Sequence, residues 1–239
     1  LDQPVTVQFA RYLGGLVRGD LGPSFRMKDF SVAELIGRGL PVTLSIGAAA
    51  LLLGVGLGVP LGLVAGLRQN GWADHAVMSV ALVGIAVPNF VVAPVLALVF
   101  GLYLGWLPVA GWEPGSAKHL VLPVVTLALP LVAYLARLTR GSLLEVLQAP
   151  FIRTARAKGL DPGVILRRHA LRPTLLPVVS FLGPAAAALL TGSLVVEQVF
   201  GLPGVGRYFV QGAINRDYTL VMGMVVFYAS LILLLNLAV

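Results

Sequence analysis

The sequence predicts an all-α membrane protein, a polytopic helical bundle, and three observations predict it. Of the 239 residues, 58% are hydrophobic and only 11% are charged, with a mean hydropathy of +0.92. A soluble domain carries about a quarter charged residues, so a surface this poor in charge faces lipid. Five uncharged runs of 17 to 37 residues recur along the chain, and a helix needs roughly 20 residues to cross the hydrocarbon layer. None of the runs alternates like a barrel strand, and only helices and closed barrels satisfy their backbone groups in lipid.

Residues 1–39 stand apart, with Arg11, Arg18, Arg26, Lys28 and Arg38 against Asp2, Asp20, Asp29 and Glu34. Gly19-Asp-Leu-Gly-Pro-Ser24 is a turn signal, and residues 5–17 are amphipathic enough to lie at a membrane interface. The first span is read over 40–67, between Arg38 and Arg68. In it Gly54, Gly58, Gly62 and Gly66 recur every fourth residue. Small residues so spaced let another helix approach closely, and packing within the chain is favoured over a subunit interface.

Residues 76–112 carry no charge. This run predicts a second span ending near Leu104, with Trp106 and Trp112 at headgroup level. Pro88, Asn89 and Pro94 break its hydrogen-bond ladder and either line a cavity or make a tolerated kink. The third run, 120–136, continues as helix to about Gln148. The fourth covers 173–196 and the fifth 218–239. Eight of the 17 basic residues fall in 137–172, against Glu145 and Asp161 alone. That bias puts 137–172 in the cytoplasm. Parity then places 1–39 and the loops 105–119 and 197–217 outside, and 68–75 and the C-terminus inside. An outside N-terminal segment implies a further helix upstream, and the chain reads as five spans of six, trimmed at both ends. The division is therefore an extracytoplasmic segment, 1–39, and a transmembrane domain, 40–239, holding the cytoplasmic loop.

Several chemistries find no support. There is no cysteine, which excludes disulfides and thiolate metal sites. His75, His119 and His169 lack metal-ligand spacing. Gly201-Leu-Pro-Gly-Val-Gly206 resembles a phosphate loop, but Arg207 and Tyr208 stand where Lys and Ser or Thr are required. No serine sits in a nucleophile elbow. No Asp, Glu, Lys or Arg falls inside an apolar run, which disfavours an ion-coupled carrier or channel. The net charge of +7 is topological, and no nucleic-acid partner is expected.

The basic loop has a structure of its own. Pro150 suits a helix first turn, Gly159 a C-terminal cap, and Asp161-Pro162 a second helix start. A helix–turn–helix of this kind suits docking to a soluble partner, though anionic lipid also attracts it.

Phe151-Ile-Arg-Thr-Ala-Arg-Ala-Lys-Gly-Leu160, followed by His169-Ala-Leu-Arg-Pro173, resembles the cytoplasmic "EAA" loop of bacterial ABC-importer permeases, in the form used by the peptide branch. Gly19-Asp-Leu-Gly-Pro-Ser24, Arg140-Gly-Ser-Leu-Leu-Glu-Val-Leu147, Thr191-Gly-Ser193, Glu197, Gly201-Leu-Pro-Gly-Val-Gly206 and Asn215-Arg-Asp-Tyr218 agree, in order. The likeness covers most of the chain and is nearest to B-type oligopeptide permeases, with dipeptide and nickel permeases close by.

The resemblance implies a type I ABC-importer fold in the bacterial inner membrane and alternating access. It also implies a C-type permease partner, two ATPase subunits holding ATP and Mg, an extracytoplasmic substrate-binding protein, and no cofactor on this chain. Phe151, Arg153, Thr154, Ala155, Lys158, Gly159, Leu160, His169 and Leu171 are then the ATPase-coupling residues. Arg153 and Thr154 stand where the family has glutamate and alanine, Ala155 and Gly159 match, and Pro173 is displaced by one. Pro88, Asn89, Ser193 and Glu197 are candidates for a pathway or gate. Peptide is the expected cargo, with nickel or another small solute as the alternative.

Overall fold

The computed structural model describes residues 4–238, so Asp2 and Val239, counted above, lie outside the described residues. Helix α1 (Val5–Val17) matches the amphipathic segment and buries none of its residues. Helix α2 (Val32–Leu67) starts eight residues before the apolar run does. Ser31 and Glu34 form a reciprocal capping box at its N-terminus. The Ser-x-x-Glu signature was there to be read, but a reading by hydropathy begins only past Arg38.

The second span differs most from expectation. Helices α3 (Trp72–Ala86) and α4 (Asn89–Leu96) meet at a 101° bend, and α4 continues as a π-helical turn over Ala97–Tyr103. Pro88 supplies no N–H, and Val87 takes the extended conformation favoured before proline. The bend exceeds a tolerated kink, and by length and composition the two arms together suffice for one broken span. Gly111 N–H donates to the Phe200 carbonyl over 2.8 Å, which puts the segment after α4 at the same end of the bundle as the close of the fourth span.

Helix α5 (Ala117–Gln148) is followed by α6 (Pro150–Ala157), and Gly159 turns the chain with φ +75°. The short α7 (Pro162–Val164), N-capped by Asp161, does not stand alone as the second arm of a helix–turn–helix. It runs through a π-helical turn, Ile165–Ala170, into α8 (Leu171–Val199), giving one 38-residue helix, Pro162–Val199. Helices α9 (Val205–Ile214) and α10 (Tyr218–Leu237) complete the bundle.

Helices α2 and α5 form the most extensive pair, and the glycine row explains why. A Cβ at Gly54 would lie 2.4 Å from Leu131, at Gly62 2.5 Å from the Ala136 carbonyl oxygen, and at Gly66 2.9 Å from Leu143. The row therefore serves packing within the chain, with the backbones in direct approach.

Three apolar clusters stack along the bundle. The outermost joins Val32, Leu35 and Ile36 of α2 to Val205, Leu220 and Met224. The central one joins Ile46, Leu127, Leu135, Val178 and Phe200. The third, at the basic end, joins Leu143, Ile152, Ala155, Ile165 and Ala170.

Candidate functional site: the two ends of the bundle and the bend between them

At the basic end, α6 has two faces. Ile152 and Ala155, 0% and 7% exposed, close on the third cluster. Phe151, Arg153, Thr154 and Lys158 face outward, and Gly159, Leu160 and His169 are exposed beyond the turn. Thr154 donates its hydroxyl to the Pro150 carbonyl, and Leu171 is half-buried at the start of α8. Seven of the nine loop residues singled out from sequence thus form an accessible surface. Ala155 faces the chain's own core and holds α6 in place. Beyond the Gly159 turn, α7 and α8 are continuous, so the chain runs from this end directly into the fourth span.

Just inside that end, Arg140 of α5 donates from Nε to Asp74 Oδ1 (2.5 Å) and from Nη2 to Oδ2 (2.7 Å). The Asn70 amide donates to the same carboxylate. This bidentate pair ties the inner half of the bent span to α5, and the sequence reading did not join the two residues. They are 66 positions apart, and only the fold brings them together.

At the bend, Asn89 lines a cavity of about 240 Å³ between α4, α5 and α8, with Leu131, Tyr134, Phe181 and Leu189. Tyr134 and Phe181 stack across it with ring centroids 4.3 Å apart. The Asn89 side-chain oxygen is buried and has no hydrogen-bond partner among the described residues. Pro88 is exposed beside it.

Ser193 and Glu197 do not join this cavity. Since α8 runs to Val199, Glu197 lies inside the helix rather than beyond it, and it is 0% exposed. A search for uncharged runs ends each run at a charge, and so cannot place a charge within a span. Glu197 Oε1 accepts from Thr43 Oγ1 (2.7 Å) and Ser193 Oγ (2.8 Å). Its Oε2 accepts from the Arg207 amide (3.2 Å) at the start of α9. Thr43 in turn accepts from the Val205 amide, which directs the hydroxyl proton to the carboxylate. A carboxylate facing the first N–H groups of a helix satisfies donors that have no partner within the helix. The glycine string wraps this group, since a Cβ at Gly204 would sit 2.2 Å from Glu197 Oε2. The string cradles a side-chain carboxylate, and the resemblance to a phosphate loop goes no further.

The outer cap is tied similarly. Ser24 Oγ and the Arg26 amide donate to Asp217 Oδ2, and Arg26 Nε donates to the Asn215 carbonyl. The strings 19–24 and 215–218, far apart in sequence, are two sides of one contact.

Residues 58–239 match the family described as binding-protein-dependent transport system inner membrane component. The chain belongs to that family. As a member it is a multi-pass inner-membrane protein, and its basic end is the cytoplasmic one by charge bias. The chain is 49% identical to the oligopeptide transport system permease protein OppB of Escherichia coli, over 97% of this chain and 76% of that one. It is 43% identical to the dipeptide transport system permease protein DppB of Bacillus subtilis, over 98% and 76%. Among solved structures, an inward-facing MetNI methionine ABC transporter superposes with a TM-score of 0.72 at 21% identity, covering 85% of this chain and 92% of that one. That likeness shows the fold, a type I ABC-importer permease.

Proposed function

We propose that this chain is one of two translocation subunits of an ATP-driven peptide importer, alternating between inward- and outward-facing states. The observation that carries the reading is α6, a short helix whose inner face is locked into the bundle and whose outer face is free. It offers separate ATPase subunits a rigid handle at Phe151, Arg153, Thr154, Lys158 and Leu160, and α7–α8 carries the motion into the membrane. A homologous permease completes the pathway, and an extracytoplasmic binding protein delivers cargo. ATP and Mg belong to the ATPases. The names of the relatives support peptide as the cargo. The cavity at the bend supports it too, because the buried Asn89 side-chain oxygen suits a backbone N–H and none of the residues lining it is charged to discriminate among side chains.

Reconstitution tests this. Uptake of a labelled peptide into proteoliposomes requires ATP and the ATPase subunits. Accumulation by the two permeases alone, under a proton gradient, would sink the proposal. Thr154→Trp, on the exposed face of α6 where the backbone is ordinary helix, should leave ATP hydrolysis running while uptake falls.

A further inference from the structure

Two cavities lie one above the other on a single face of α5, and the family assignment uses neither. The inner one, about 540 Å³, opens at the cytoplasmic ends of α2 and α5 and is lined by Arg68, Gln69, Gln148 and Arg156 among others. No acidic residue lines it, and among the described residues neither arginine has an ion-pair partner. The outer one, about 250 Å³, is a groove between α2, α3 and α5 walled by Leu61, Val77, Val80 and Val132, with Gly84 at its far end. Its lining is almost wholly apolar. On α5 the two follow each other at helical spacing, through Ala136, Arg140, Leu144 and Gln148. Arg140 stands between them already neutralised by Asp74, so the positive charge of the inner cavity belongs to Arg68 and Arg156. Trp72, 79% exposed at the start of α3, marks the level of the headgroups.

A basic cavity at headgroup depth, continued into the membrane by an apolar groove, has the chemistry of an anionic phospholipid. We propose that one such lipid binds here, its phosphate between Arg68 and Arg156 and one chain along the groove. The bound lipid joins the α2–α3 turn to α6, because Arg156 stands on α6. Anionic lipid then reinforces the segment through which the ATPases act.

The test is lipid retention by the purified permease pair, without ATPases, in nanodiscs of phosphatidylcholine doped with phosphatidylglycerol, read by native mass spectrometry. Each basic side chain near an anionic surface contributes about 1 kcal/mol. Two arginines therefore predict a preference of about 30-fold for phosphatidylglycerol over phosphatidylcholine. Arg68→Gln with Arg156→Gln should bring the ratio to about one while the pair still folds and assembles. Val80→Trp, which fills the groove, should weaken retention of both lipids. Equal retention by the unaltered pair overturns the proposal. Retention that free inorganic phosphate displaces and Val80→Trp leaves unchanged also overturns it, because that is a phosphate site without a chain. A ratio that first appears with the ATPases present assigns the arginines to an acidic protein surface and overturns it likewise.

Discussion

The two oxygens of Asp74 meet Nε and Nη2 of Arg140, so that one carboxylate on α3 and one guanidinium on α5 fix the inner half of a bent span. Asp74 is 1% exposed, whereas the Arg140 side chain keeps about a quarter of its surface, 26%. The bend leaves α3 only 15 residues long, too short to hold its place by length, and the ion pair supplies the anchor.

Removing one partner of a buried pair leaves a charge without compensation and costs about 3–5 kcal/mol. The partial exposure of Arg140 places Asp74→Asn at the low end, about 3 kcal/mol. A thermal scan of the detergent-solubilised permease should show the loss. Arg140→Gln should lose a similar amount, and the double variant should lose less than the sum of the two. Additive losses would show that the residues act independently.

The glycine row allows a sharper contrast on one helix. Gly62→Ala places a Cβ 2.5 Å from the Ala136 carbonyl oxygen and must push α5 away. Gly56 has nothing within 4 Å of its Cβ position. Gly56→Ala should therefore stabilise by up to about 1 kcal/mol through helix propensity. Gly62→Ala should destabilise by about 1–3 kcal/mol, the ordinary cost of overpacking. The two melting shifts, measured side by side, should have opposite signs.

This contrast also shows what was legible beforehand. A four-residue glycine spacing identifies a packing face without its partner, and it named α2 correctly while leaving α5 to the structure. The four long apolar helices, the loop helix from Pro150 and the turn at Gly159 were readable because hydropathy and capping are local. Thr43–Glu197, Ser24–Asp217 and Asp74–Arg140 were not, since each joins elements whose proximity is a property of the whole bundle. The bend at Pro88 was half-readable. Proline announces a broken ladder, but the angle depends on how α4 seats against α5 and α8.

Glu197 is surrounded by donors, and that decides what its substitution does. Glutamine keeps the shape but turns an NH₂ group toward a neighbour that also donates. Alanine strands the Thr43 hydroxyl and the α9 amide together, and each unsatisfied buried group costs about 1–3 kcal/mol. Glu197→Ala should lower the melting temperature more than Glu197→Gln. Gly204→Ala should do so with Glu197 intact, because its Cβ would overlap the carboxylate. Equal melting of Glu197→Ala and the unaltered chain would show that the cluster holds nothing together.

Asp217 carries the pH dependence of the outer cap. Burial pushes its carboxyl up, but hydrogen bonds from Ser24 and from the Leu220, Arg26 and Phe25 amides outweigh burial, and the group lies below its ordinary value. A carboxylate depressed in the folded state contributes stability that is fully present above its unfolded value. That stability is lost as pH falls through the folded value. The cap therefore stays docked at neutral pH and loosens in acid, where the Ser24 hydroxyl and Arg26 amide lose a charged acceptor. Hydrogen exchange at residues 24–27 should accelerate as pH drops below the usual carboxylate range, after correction for intrinsic exchange. Asp217→Asn should show faster exchange at neutral pH and no such acid step. An acid step that survives Asp217→Asn would assign the loosening to another group, with Glu34 of the neighbouring capping box the next to substitute.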